Sequence, residues 1–268
     1  MSMLYRINPP FYVSFSGGRT SGYMVRMILD AWGGQMPAGG YVIFANTGRE
    51  HPATLDFVEE VNRRWCKVIW IEYIPKEPGY RLVNRATAST DGKPFAQLIA
   101  KRKYLPNPVA RFCTSDLKVK PMSVYMSLLA GDDFTTVLGI RADEPRRVSR
   151  IRGDSSRDIA LPLADAGVCR NDVLAWWKQQ AFDLMLPNDD PAYGNCDMCF
   201  LKSRERVERV MSAEPSRADW WAAQEDHVGG TFRKDRPTYA QMLHQVTVQG
   251  QLFVNTGEDD TLPCDCTE

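Results

Sequence analysis

The residues of this chain that are able to do chemistry fall into three groups: a run of glycines and hydroxyls, a set of cations, and the cysteines. The run is Ser16-Gly17-Gly18-Arg19-Thr20-Ser21, with Ser14 just ahead of it. Glycines without a Cβ let the backbone come close to a ligand, and the unpaired amides that open a helix favour negative charge, so a phosphate chain is the natural guest. The Walker pattern needs Gly-Lys-Ser/Thr and the dinucleotide fingerprint needs Gly-x-Gly-x-x-Gly; neither is present. Arg19, Lys118, Arg141 and Arg147 are the cations expected to neutralise phosphate or sulfate oxygens. Asp143 and Glu144 either orient Arg147 or bind a metal. Among seven cysteines, Cys113 and the Cys196-x-x-Cys199 pair offer three thiolates. The two-residue spacing lets both sulfurs of the pair reach one centre, with zinc and iron–sulfur both open from the residues alone. Cys66 and Cys169 read first as core residues.

The elements that must carry these groups follow from hydrophobic period. Phe11, Val13 and Phe15 alternate as in a strand, and Gly22 to Leu29 is apolar at helical spacing, so the glycine run is a strand-to-helix turn. Tyr41–Ala45 and Val68–Ile71 read as buried strands separated by a helix through Leu55, Val58, Val61 and Trp65. Thr135–Ile140 is a further strand, and Met122, Tyr125, Met126 and Leu129 mark the helix before it. Asn171 or Asp172 is the expected cap of a helix with Val173, Leu174, Trp176 and Trp177. Residues 75–108 read as irregular, with a solvated Lys101-Arg102-Lys103 cluster. Alternating strands and helices imply an α/β fold with a doubly wound parallel sheet, whose ligands sit at the carboxyl ends of the strands. Ser16–Ser21, Asn46–Glu50 and Arg141–Arg147 all fall there. Residues 1–200 are expected to form the nucleotide-site domain with the cysteine cluster, and 201–268 a small helical appendage with a cysteine-bearing tail.

Composition excludes several classes. The 268 residues carry zero formal net charge, so no global field draws the chain to nucleic acid or membrane. No apolar run approaches bilayer length and no signal peptide is apparent, which points to a cytoplasmic, reducing location where cysteines serve as ligands or nucleophiles. Three scattered histidines argue against a histidine-rich zinc site or a Ser-His-Asp triad.

Taken in order, Ser16–Ser21, Phe44-Ala45-Asn46-Thr47-Gly48, Gly139-Ile140-Arg141-Ala142-Asp143-Glu144 with Arg147, and Cys196-x-x-Cys199 resemble the phosphoadenylyl sulfate (PAPS) reductase family of the adenine nucleotide alpha hydrolase, or PP-loop, superfamily. The chain has Thr20 where that superfamily's Ser-Gly-Gly-x-Asp-Ser loop has Asp. The phrase Arg111-Phe112-Cys113-Thr114, with Leu117, Lys118 and Pro121, is similar to the DNA phosphorothioation branch. The resemblance implies an adenine nucleotide (PAPS, adenylyl sulfate or ATP), held by Ser14, Ser16–Ser21, Asn46, Thr47, Gly48, Gly139, Arg141, Asp143, Glu144 and Arg147. It implies a four-iron four-sulfur cluster on Cys113, Cys196 and Cys199, with Cys264, Cys266, Cys169 or no residue as fourth ligand, and a magnesium ion as a further cofactor. Catalytic candidates are Cys264, Cys266, Lys118 and Arg141, a terminal cysteine attacking the sulfate sulfur before a thiol partner reduces the adduct. The leading expectation is a sulfonucleotide reductase. An ATP-dependent sulfurtransferase that takes sulfur from a donor protein and thiolates nucleic acid is the second, and a nucleotide-binding redox sensor the third.

Overall fold

The computed structural model describes residues 2–248. Its centre is a six-stranded sheet in the order β4-β3-β2-β1-β5-β6, formed by β1 (Phe11–Ser14), β2 (Gly40–Asn46), β3 (Val68–Tyr73), β4 (Tyr80–Val83), β5 (Thr135–Leu138) and β6 (Ile159–Ala160). All neighbours pair in parallel except β3 and β4. The chain steps outward from β1 through β2 to β3, then crosses back to place β5 on the other flank of β1. The connections after β1 and β5 therefore diverge, leaving a crevice at their carboxyl ends, which is where ligands of such sheets bind.

Side-chain alternation splits the core into two layers. Phe11, Val13, Phe15, Val42, Phe44 and Trp70 point into the larger layer, packed under α1 (Arg19–Ala31) and α2 (Pro52–Arg64). Tyr12, Ile43, Ala45 and Ile71 point the other way, onto Met122 and Met126. Those methionines lie on α5 (Lys120–Ala130), which continues from the short α4 (Phe112–Thr114) through a π-helical turn over Ser115–Val119. This is the period-2 pattern of a strand buried on both faces.

Residues 75–108 are more ordered than their sequence suggests. Tyr80–Val83 forms an antiparallel edge strand and α3 (Lys93–Arg102) follows, burying Phe95, Leu98 and Ile99. The edge strand has no alternating burial, and the basic cluster that reads as solvated surface is the end of α3, with Lys103 in the left-handed region at φ 62°. Beyond β5 come α6 (Pro145–Arg152), α7 (Pro162–Asp165) and α8 (Arg170–Trp177). The cap of α8 is Cys169 rather than Asn171 or Asp172; Asp172 sits at the third helical position and accepts the Cys169 N–H at 2.8 Å. The last helices are α9 (Arg204–Ala213), α10 (Ser216–Val228) and α11 (Tyr239–Val248). Their buried Val207, Val210, Trp221, Tyr239 and Met242 belong to the same contiguous apolar cluster as Phe11 and Val13. No helix among the described residues is long and apolar enough to cross a membrane.

Candidate functional site

The glycine run makes a clasp. Gly17 takes φ +77°, and a Cβ built there would lie 2.7 Å from Thr54 Cγ2, so both conformation and space require glycine. Gly18 caps α1 without a side-chain acceptor, so no cap side chain takes the first amides of that helix. Ser21 holds the loop from inside: its Oγ lies 2.9 Å from Ser16 Oγ, accepts the Ser16 N–H at 3.2 Å and donates to the Gly18 carbonyl at 3.1 Å.

Two cavities flank the clasp. The larger, about 490 Å³, lies over the ends of β1 and β5 and is walled by Ser14, Ser16, Leu138, Arg111, Lys118 and Arg150. The smaller, about 160 Å³, is lined by Gly17–Thr20, Thr54, Arg141 and Arg170, with Gly194 and Asn195 on its far side. Arg141 arrives from the end of β5, where Gly139 allows close approach to α1: a Cβ there would sit 3.3 Å from Ser21 Cα. Its guanidinium donates to Thr20 Oγ1 at 3.0 Å and to Asp143 at 2.9 Å. Burial opposes the Asp143 charge, but the Arg170 amide and the Arg141 guanidinium outweigh it and hold that carboxyl below its ordinary range. Glu144 accepts the Arg141 N–H at 3.0 Å and pairs with Arg147.

The Cys196-x-x-Cys199 segment docks against the end of β2. Glu50 and Cys196 form an isolated antiparallel bridge, and Cys196 Sγ lies 3.4 Å from Thr47 Oγ1. Between the cysteines, fully buried Asp197 accepts from Arg49 at 2.5 Å, Arg217 at 3.2 Å and Trp221 Nε1 at 2.9 Å. Lys202 Nζ donates to the carbonyls of Ala192, Gly194, Cys196 and Asp197. Glu50 is buried, and desolvation drives its carboxyl above the usual range against the opposing charge of Lys118 and the Thr47 hydrogen bonds. Cys196 and Glu50 thus meet at the end of β2, with the Lys118 charge close enough to act on the Glu50 carboxyl.

Residues 10–156 match the family model for the phosphoadenosine phosphosulfate reductase domain. The chain belongs to the phosphoadenosine phosphosulfate reductase domain family. It is also 37% identical over 207 residues to an uncharacterized nin region protein, ORF290, of Escherichia phage lambda, covering 73% of this chain and 67% of that protein. Among solved structures, phosphoadenylyl-sulfate reductase from Candida auris aligns at TM-score 0.45 and 16% identity, covering 68% of this chain and 80% of that one. The U34-tRNA thiolase NcsA from Methanococcus maripaludis, with its [4Fe-4S] cluster, aligns at TM-score 0.32 and 13% identity over 99% and 84%.

Within this reductase-domain chain, several residues expected at the nucleotide do something else. Arg19 is held by Asp183 at 2.7 Å and Asp189 at 2.6 Å, and donates to the Leu184 carbonyl at 3.0 Å, so its charge already closes the 183–189 loop over the start of α1. Asn46 is fully buried, donating to Glu72 at 2.6 Å and the Ser89 carbonyl at 2.8 Å. Thr47 is spent on Glu50, and Gly48 packs on Gly92 and Pro94, so this stretch shapes the floor and lines neither cavity. Asp143 and Glu144 orient the arginines. Among the described residues no group of three or more His, Cys, Asp or Glu side chains is arranged to hold a metal ion, so neither the three thiols nor the carboxylates form such a site as placed. Cys169 is committed to the α8 cap; Cys264 and Cys266 lie outside the described residues. Sequence reasoning missed Asp197, Lys202 and the role of Glu50: Asp197 and Glu50 meet distant segments, and Lys202 meets nearby backbone carbonyls, which leave no side-chain signal.

Proposed function

We propose that the protein is a nucleotide-dependent sulfur-metabolism enzyme, with an adenylyl sulfate as substrate and sulfite and the adenine nucleotide as products. One observation carries this reading: the glycine clasp lies between a nucleoside-sized cavity and a small cavity whose far wall, Gly194–Asn195, leads directly into the thiol pair. In this reading the adenosine occupies the larger cavity against Leu138 and Met122, and the phosphosulfate lies along the open amides of α1. Arg141, oriented by Asp143 and Thr20, neutralises the leaving phosphate from the smaller cavity, while Lys118 lines the larger one on the other side of the clasp. A cysteine thiolate attacks the sulfur; the S–O bond to phosphate breaks, the nucleotide leaves, and an S-sulfocysteine forms. A second thiol then attacks the cysteine sulfur, forming a disulfide and releasing sulfite. Cys264 and Cys266 are the proposed nucleophiles.

The donor set of Cys113, Cys196 and Cys199 has the soft-ligand chemistry an iron–sulfur cluster requires, and these are the residues that would hold one. When bound it supplies local charge and electronic tuning beside the substrate; no step above depends on it. Anaerobic purification followed by iron and sulfide analysis tests this part alone, and a colourless, iron-free active enzyme rejects it. The sulfurtransferase reading is favoured by a different observation, the Arg111, Arg150 and Arg157 wall of the larger cavity, which suits a polyanion. Incubation with adenylyl sulfate, its 3′-phosphorylated form and ATP separates the two. Sulfite release supports the reductase, whereas pyrophosphate or AMP release from ATP, dependent on nucleic acid, supports the transferase.

A further inference from the structure

The loop that presents the thiol pair is built around a buried cation. Lys202 is 9% exposed, and its Nζ lies 2.6 Å from the Ala192 carbonyl, 2.7 Å from Gly194, 2.8 Å from Cys196 and 2.7 Å from Asp197. An ammonium has three N–H donors, so four carbonyl oxygens at these distances are gathered by charge as much as by directed hydrogen bonds. Without a cation, four inward-facing carbonyl dipoles repel one another in a place closed to water. The surrounding backbone supports this turn-in: Asn195 is left-handed at φ 56°, and Lys202 is itself fixed by a Lys202 N–H bond to the Cys199 carbonyl at 2.9 Å. One consequence is steric. With its carbonyl turned onto Lys202, Cys196 sends its side chain to Thr47 and pairs its backbone with Glu50.

We propose that the Lys202 ammonium is a positioning residue that holds the thiol loop as a bound monovalent cation would, and that truncating it uncovers a site for such a cation, potassium being the probe. Rings of backbone carbonyls are how proteins replace the hydration shell of potassium. The ion-pair network at Asp197 anchors the opposite side of the loop and is untouched by the change. This inference stands apart from the proposed reaction, since its test uses no nucleotide and no turnover.

The experiment uses the full chain carrying Lys202→Ala, in potassium chloride and in choline chloride at equal ionic strength. It reads the melting temperature and the alkylation rate of each cysteine by mass spectrometry. Cys66, whose thiol burial pushes up to about 12, is the slow internal reference. In choline, Cys196 of the variant is expected to react at least about tenfold faster than in the wild type, the loss of charged hydrogen bonds opening the loop. Potassium is expected to restore protection and raise the melting temperature saturably, with no such dependence in the wild type. Equal protection of Cys196 without potassium, or identical behaviour in the two salts, overturns the proposal. A Lys202→Ala chain that stays unfolded in both salts rejects the cation site. The positioning role is then decided by Lys202→Gln, a shorter side chain that keeps N–H donors but carries no charge: fast alkylation of Cys196 upholds it, and wild-type protection rejects it.

Discussion

Gly17 is held to glycine twice over, by a φ of +77° and by the 2.7 Å separation its Cβ would have from Thr54 Cγ2. Gly17→Ala therefore adds left-handed strain to overpacking, and a loss of about 2–4 kcal/mol is expected in urea unfolding, together with loss of nucleotide binding. A wild-type midpoint in that variant would show that the loop is not under the constraint its geometry indicates. Such a position is legible from sequence, because consecutive glycines between a strand and a helix announce a turn. Lys202 and Asp197 are not. Asp197 meets Arg49, Arg217 and Trp221 from other segments, and Lys202, whose acceptors lie within ten residues, meets them only as backbone carbonyls, which no side-chain pattern announces. Arg19 is a similar case: its type and place fit a phosphate clamp, and the Asp183 and Asp189 carboxylates that pair with it meet it only through the fold. Asp197 carries the sharper test. Asp197→Ala leaves the nearly buried Arg49 without its carboxylate and the half-buried Arg217 with Glu214 alone, and a cost of about 3–5 kcal/mol follows from breaking a buried pair. Chemical denaturation measures it; a loss below about 1 kcal/mol would mean the pair is solvated.

At the scale of elements, the strands around the site were readable because both faces of β1, β2 and β3 are buried, giving short apolar runs bounded by turns. Strand β4 and helix α3 were hidden for opposite reasons. One is a four-residue edge with no buried side chain, and the other ends in a basic cluster that masks Phe95, Leu98 and Ile99. The link from α10 to α11 shows how a connection is held by charge. Buried Glu225 accepts the Phe232 N–H at 3.1 Å and the Tyr239 N–H at 2.7 Å, and Asp235 pairs with Arg233 through two oxygens. The Arg233 hydrogen bonds depress the Asp235 carboxyl from 3.8 to about 2. A depressed folded value means the stabilisation is fully present above the unfolded value and disappears as the folded one is crossed. Wild type and Asp235→Asn are accordingly expected to differ by a constant amount above pH 3.8 and to converge as pH falls toward about 2. Melting temperatures across that window check the sign; a gap that widens on acidification contradicts it.

Across the whole molecule, the topology does what no single motif does. Placing β5 beside β1 brings the Gly139–Arg147 stretch of one half against the Ser16–Ser21 loop of the other, so the site exists only when the crossover is complete. The larger cavity is walled by residues from β1, β5, the α4–α5 run and the end of α6, while Trp177 of α8 donates to the Arg19 carbonyl at 2.8 Å and seals the start of α1. A ligand that bridges these walls binds the native state alone and raises its stability as the logarithm of its concentration. Adenosine 3′,5′-bisphosphate, which carries the nucleoside and two anionic groups without a reactive sulfate, is the appropriate probe. At about a hundredfold excess over its dissociation constant it is expected to contribute about 2.7 kcal/mol. For a chain of this size that corresponds to a rise of about 5–10 °C in melting temperature. Because the chain has no net charge, attraction is local to the cationic wall, so the shift should shrink with added salt while the melting temperature of the free protein moves little. The same titration on Gly17→Ala should give no shift at any salt concentration. A wild-type protein whose melting temperature ignores the nucleotide at millimolar concentration would place the ligand elsewhere, and the clasp would then be a turn and nothing more.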